Sequence, residues 1–209
     1  MSQRRTAWLT GTSLLLAGCA SAPAHFYTLQ GNDGHLRCAV SVTCPDLPAR
    51  ADYAVVIGPV TVPTDVDRPQ LVVHDREYRV TVLEEERWVE PLPSAIRRAL
   101  ASDLGERLRG ALILEDSERS SHPNTFRLAV DVRRFDIAPA ASVNLEADWL
   151  LIVGQRPVRQ ESARVIVPLH ARGYDAAVAA ASQAIAQLSD AIAASLAGAS
   201  ADLTAGVGG

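Results

Sequence analysis

Residues 143–153 read VNLEADWLLIV, and their apolar side chains fall on every second position. Val143, Leu145, Ala147, Trp149, Leu151 and Val153 line one face, and Asn144, Glu146 and Asp148 line the other. A period of two belongs to a strand with one face on a core. Leu150 and Ile152 make the far end apolar on both faces. Two neighbouring runs extend the pattern. Phe126, Leu128, Val130 and Val132 alternate, then hand the alternation to Phe135 and Ile137 across Arg133-Arg134. Parity changes inside a strand only at a bulge or bend, so one is expected there. Gly154–Pro157 supplies a turn, and Ser162–Val167 a returning strand. The three runs predict an antiparallel meander, and the rest of the chain must fit against its buried face.

Two helices are available to cover it. Pro91 and Pro93 bracket a helix start, and Leu92, Ile96, Leu100, Leu104 and Leu108 then recur every fourth residue up to a stop near Gly110. Nearer the C-terminus Val178, Ala181, Ile185, Leu188, Ile192 and Leu196 recur at spacings of three and four, with Asp175 as the expected N-cap. Most other positions of this second helix are alanine or small and polar, which permits close packing on a sheet. Upstream, YAVVIGPVTV at 53–62 predicts a strand that Pro59 forces into a bulge or an edge position. Leu71–His74 and Tyr78–Leu83 flank a polar Asp75-Arg76-Glu77 and predict a hairpin. The expected fold is α/β: a compact sandwich with a mixed, largely antiparallel sheet and two main helices. It forms a single domain over 51–198, followed by a disordered tail over 199–209.

The N-terminus carries a different signal. Arg4 and Arg5 precede a mostly apolar run over Ala7–Ala17, and Leu16-Ala17-Gly18 leads into Cys19. A basic start, a short apolar core and small residues before a cut describe an export signal. The run has about 11 residues, against roughly 20 for a spanning helix. Leu-Ala-Gly-Cys resembles the bacterial lipobox, which predicts a signal peptide over 1–18 and a lipid on Cys19. Several acyl chains together anchor stably, each buried CH₂ contributing about 0.8 kcal/mol. Ala20 occupies the position where Asp tends to retain lipoproteins at the inner membrane, so an outer-membrane destination is expected, facing the periplasm. Residues 19–50 are rich in Ala, Gly, Pro and Ser and read as a tether, in which HFYTLQ can extend and pair with the sheet. Cys38 and Cys44, with five residues between them, read as a local disulfide in an exported chain.

Signals for chemistry are sparse. The five histidines form no His-Glu-x-x-His pattern, and no Gly-x-Ser-x-Gly or phosphate-binding Gly-rich loop occurs. No metal or cofactor is expected. Net charge is −4 and no basic stretch is concentrated, so nucleic acid is not an expected partner. Glu84-Glu85-Glu86 reads as a solvated charge run on a loop. Partner-binding residue types remain. Trp149 is expected in the core. Trp88, before the first helix, suits a core and an interface equally. Arg68 either pairs with Asp67 in its own turn or meets an acidic partner.

The order of segments resembles a known family, the ABC-type transport auxiliary lipoproteins (PqiC-like intermembrane transport lipoproteins). The lipobox at Cys19 is followed by FYTL at 26–29, VIGPVTVPTDVDRPQLV at 56–72 and RWVEPLPSAIRRALASDL at 87–104. FRLAVDVRRFD at 126–136 and VNLEADWLL at 143–151 complete the match. The family's Tyr-Leu-Asp-Arg-Pro-Gln reads Asp65-Val66-Asp67-Arg68-Pro69-Gln70 here, so the aromatic is missing. The Cys38/Cys44 insert is also particular to this chain.

The resemblance implies a fold similar to the N-terminal domain of TolB. It also implies a non-enzymatic subunit of an intermembrane lipid transport system. Such a subunit sits in the outer membrane through its lipid, docks an MCE-domain transport protein that spans the periplasm, and can form a ring-shaped homo-oligomer. Asp67, Arg68, Pro69, Gln70 and Trp88 are the residues expected to carry partner binding. Two other classes stay open. A lipid-binding carrier would need a cavity between helices and sheet. A cell-envelope hydrolase would need a site assembled from scattered residues.

Overall fold

The computed structural model describes residues 23–31, 53–76, 79–115, 120 and 122–206. Cys19, Cys38 and Cys44 lie outside them. The strands are β1 (His25–Tyr27), β2 (Ala54–Thr61), β3 (Gln70–Arg76), β4 (Arg79–Trp88), β5 (Leu112–Glu115), β6 (Thr125–Ala138), β7 (Ser142–Val153) and β8 (Arg156–Pro168). The helices are α1 (Leu92–Arg107) and α2 (Tyr174–Gly206).

Two sheets form. The larger has the order β5-β2-β6-β7-β8, and the smaller β1-β4-β3. The expected meander is present, with β6, β7 and β8 pairing antiparallel in sequence. The parity switch is a register shift between Val132 and Arg134, so Val132 and Phe135 both reach the core. β2 runs parallel to both β5 and β6, which makes the larger sheet mixed. Its pairing with β5 ends at Ile57, and its register against β6 shifts between Ile57 and Val60. Pro59 thus falls where one side of β2 has no strand and the other is irregular, the two settings in which a missing N–H does no harm.

Both helices contact the larger sheet and each other, α1 over β2 and β5, and α2 over β6, β7 and β8. Leu92, Ile96, Leu100 and Leu104 of α1 meet Ile185, Leu188, Ile192 and Leu196 of α2, all buried, above Phe126, Leu128, Leu145 and Leu151. Ala177, Ala181 and Ala184 are fully buried too. The alanines therefore bring α2 close to its neighbours.

One polar cluster sits between the helices. The Asp103 carboxylate, 0% exposed, lies 3.3 Å from Arg107 Nη1 and accepts the Ser189 hydroxyl at 3.1 Å. Arg107 also donates to the Ala186 carbonyl at 3.1 Å and to the Asp190 carboxylate. Burial alone would lower the guanidinium's pKa, but these carboxylates outweigh it and raise it.

Several expectations are corrected. The segment over 199–206 is helical, not a disordered tail: α2 continues to Gly206, with Leu196 and Ala199 buried and Asp202 paired to Arg159 at 2.6 Å. Asp175 lies inside the first turn and does not cap it; Gly173 precedes the helix and its carbonyl accepts the Ala177 N–H. β4 runs on through Glu84-Glu85-Glu86, so these are strand residues. β5 was not expected, and β8 begins six residues before Ser162. The tether over 19–50 is not uniformly free, because His25–Tyr27 is a strand and Leu29 is fully buried.

Candidate functional site

The residues singled out for partner binding converge on one corner of the smaller sheet. Val66 and Asp67 both donate their N–H groups to the Pro63 carbonyl, and Arg68 donates to Val66. The Val66 side chain is buried and plugs this turn into the core. Asp67, Arg68 and Pro69 then stand exposed at its tip, with Gln70 half-buried where β3 begins. The Trp88 N–H donates to the Pro69 carbonyl at 2.7 Å, which ties the turn to the end of β4. The ion pair that would neutralise Arg68 within its turn does not form. Gln70 is engaged instead, through its amide to Glu84 at 3.1 Å.

Trp88 itself is withdrawn from that surface. Its ring is 5% exposed and belongs to the core cluster. It faces inward because alternation along β4 puts Trp88 opposite in sense to the exposed Arg87. Its contribution to the corner is the backbone bond to Pro69. Trp149 is in the core as expected, with its indole N–H lacking a hydrogen-bond partner.

A second group of residues, spread over more than sixty positions, completes the corner. β1 pairs parallel with β4, setting His25, Phe26 and Tyr27 against Glu86, Arg87 and Trp88. The Tyr27 hydroxyl donates to Glu86 Oε2 at 2.7 Å, and His25 Nδ1 lies 3.1 Å from Oε1 of the same carboxylate. Arg98, on α1, donates to Thr28 Oγ1 at 2.8 Å and to the Leu29 carbonyl at 2.9 Å, while pairing with Glu90. The Gln30 N–H donates to the Ser182 hydroxyl on α2. Gly31 then passes so close to α1 that an added Cβ would sit 2.7 Å from Ser102 Cβ. An open groove of about 670 Å³ remains between this segment and the first third of α2, with Phe26, Thr28 and Gln30 on one side and Asp175, Val178 and Ser182 on the other. Sequence reasoning found the extended FYTL but not its partners, since Glu86 read as a solvated charge and nothing in the helix pattern singled out Arg98.

The Tyr27–Glu86 pair makes segment docking sensitive to pH. The Tyr27 hydrogen bond, with a smaller contribution from His25, holds the Glu86 pKa below 4.5. Burial first, then Glu86, pushes the Tyr27 phenol above 10.0. A depressed carboxylate stabilises the folded form above its unfolded pKa and loses that contribution as pH falls through its folded value. A raised phenol loses its contribution as pH rises past 10 toward its folded value. Protection factors against hydrogen exchange over residues 25–31, taken against the intrinsic rate at each pH, should therefore fall below about pH 4.5 and above about pH 10. Tyr27→Phe should flatten both limbs; an unchanged profile would remove the pair from the docking.

Among the described residues no group of three or more His, Cys, Asp or Glu could hold a metal ion, and no helix is long and apolar enough to cross a membrane.

Comparison with solved structures shows the fold. A crystal structure of a protein described as uncharacterized matches at TM-score 0.67 and 19% identity, over 84% of this chain and 99% of the other. A Xanthomonas campestris protein of the family DUF330 matches at TM-score 0.62 and 18% identity, over 82% and 93%. Comparison with curated protein sequences finds no match. The family model of the ABC-type transport auxiliary lipoprotein component matches residues 39–193. That stretch runs from before β2 into α2 and takes in the Asp67–Gln70 turn, the β4 side of the corner and both helices. The chain belongs to the ABC-type transport auxiliary lipoprotein components.

Proposed function

We propose that this protein is a non-enzymatic outer-membrane lipoprotein that docks the periplasm-spanning MCE protein of an intermembrane lipid transport system. Cys19 carries the lipid, and the exposed Asp67–Gln70 turn is the docking surface. The observation that supports this best is the turn itself. It is held rigidly by Val66 and by the Trp88–Pro69 bond, yet presents Asp67 and Arg68 with no salt bridge to each other. A rigid projection with unused charge suits recognition of a charged partner. The buried leucines and alanines that join helices and sheet favour docking over the carrier reading. The Cys38–Cys44 disulfide and a ring-shaped homo-oligomer remain part of the proposal.

The test is crosslinking with mass spectrometry in the native envelope, with a photoreactive amino acid at position 68. An MCE-domain protein should be captured, and capture should fall in the Cys19→Ala control. Arg68→Glu, probed from a photoreactive residue at position 67, should reduce capture about tenfold, as expected for one interfacial charge worth roughly 1.4 kcal/mol. Undiminished capture by Arg68→Glu would move the docking surface elsewhere. Absence of any MCE protein, with lipid co-purifying, would favour the carrier.

A further inference from the structure

The two most exposed large apolar side chains among the described residues are Phe26 at 62% and Val89 at 64%. They are neighbours. Phe26 stands opposite Arg87 across the β1–β4 pair, and the Val89 N–H donates to the Tyr27 carbonyl at 2.9 Å. Val89 directly follows the end of β4, so this backbone bond sets it beside β1, next to the Phe26 position. Arg87 and Arg98 flank this apolar pair, each matched by a carboxylate, Glu84 and Glu90 respectively. An apolar centre with a charged and polar rim is the pattern of a surface that enters a lipid headgroup layer.

The chain length toward the N-terminus says what lies against it. Cys19 precedes His25 by six residues, which span at most about 20 Å even when fully extended. β1 cannot swing away to lengthen that span, because the sheet pairing, the Arg98 bonds and the buried Leu29 fix it to the domain. An acylated Cys19 lies at the bilayer surface, so this corner is held beside it.

We propose that Phe26 and Val89 form a membrane-contact surface, seated in the headgroup region of the leaflet that holds the Cys19 lipid. The inference rests on Cys19 being the lipid site. The anchor fixes distance, and the apolar pair fixes which side of the domain faces the bilayer.

The test uses the mature acylated chain in vesicles of phosphatidylethanolamine and phosphatidylglycerol whose acyl chains are brominated. Phe26→Trp is the reporter; the position is exposed, so the larger ring has room. Val158→Trp is the control. Its neighbour Arg159 pairs with Asp202, whereas the groove beside Phe26 reaches only to Ala186 on α2. Along a helix rising 1.5 Å per residue those points lie roughly 25 Å apart. Emission from the buried Trp88 and Trp149 is subtracted using the wild type.

The Phe26→Trp emission should shift blue and lose most of its intensity to bromine quenching, while Val158→Trp keeps its intensity. Acyl mass on Cys19 and flotation with the vesicles, without quenching at Phe26→Trp, would overturn the contact surface and leave the anchor standing. Crosslinking from position 26 to protein would then give the apolar pair to a partner. No acyl mass on Cys19 would overturn this inference and the lipoprotein reading together.

Discussion

Arg107→Ala is expected to cost about 3–5 kcal/mol of folding stability, far more than its partly exposed position suggests. The reason is the group it leaves behind. Asp103 has no solvent contact and sits where α1 crosses α2. Without Arg107 it keeps the Ser189 hydroxyl but loses its cation at 3.3 Å. Taking the cation away from a carboxylate inside a packed interface is the expensive outcome. Asp103→Ala should also destabilise, by leaving the guanidinium partly unpaired and a void beside Ser189. The double variant should fall short of the sum by at least about 1 kcal/mol, because both changes remove one shared interaction. Urea unfolding of the four proteins measures this directly. A single loss below about 1 kcal/mol for Arg107→Ala would mean that water reaches Asp103.

Leu29→Ala is the second large effect, about 2–5 kcal/mol by the usual range for a buried leucine. Its effect should be local. Leu29 is the apolar plug of the 25–31 segment, and the rest of that segment is held by polar contacts near the surface. Native-state hydrogen exchange should lose protection over 25–31 while Phe126–Ile137 keeps theirs. A uniform loss across the domain would contradict a separately docking segment. Release also changes reach. From Cys19 to Tyr53, the next of the described residues after this segment, the chain spans at most roughly 110 Å when extended, against about 20 Å to His25. Partner capture should weaken as the effective concentration at the docking surface falls.

The periodic parts of the sequence translated well. The fourth-residue leucines of α1 are buried as a row, and the parity switch at Arg133-Arg134 is a bulge. The failures share a cause, which is stabilisation from far along the chain. LILE at 112–115 is too short to declare itself and becomes β5 because Ala54–Ile57 pairs with it. The end of α2 carries the weak helix formers Gly198, Ser200 and Asp202 among its alanines, yet stays helical where Arg159 meets Asp202. The early part of β8 does not alternate cleanly and is a strand through its pairing with β7. The site divides in the same way. Asp67–Gln70 was legible as a partner-binding candidate, but whether Arg68 pairs with Asp67 was open until the fold showed no such pair. The clamp on β1 was not, since Tyr27, Glu86 and Arg98 are joined only by the fold.

The parallel pairing of β1 with β4 has a mechanical consequence. The lipid anchor proposed at Cys19 would pull on β1 from its N-terminal end. When that pull runs along the strand, it loads the three β1–β4 residue pairs in shear, together with the Tyr27 hydroxyl and the seated Leu29. Bonds sheared together share the load, whereas those of a peeled strand break one after another. The shortest strand among the described residues would thus sit where tension from the proposed anchor arrives, oriented to share that load rather than to peel.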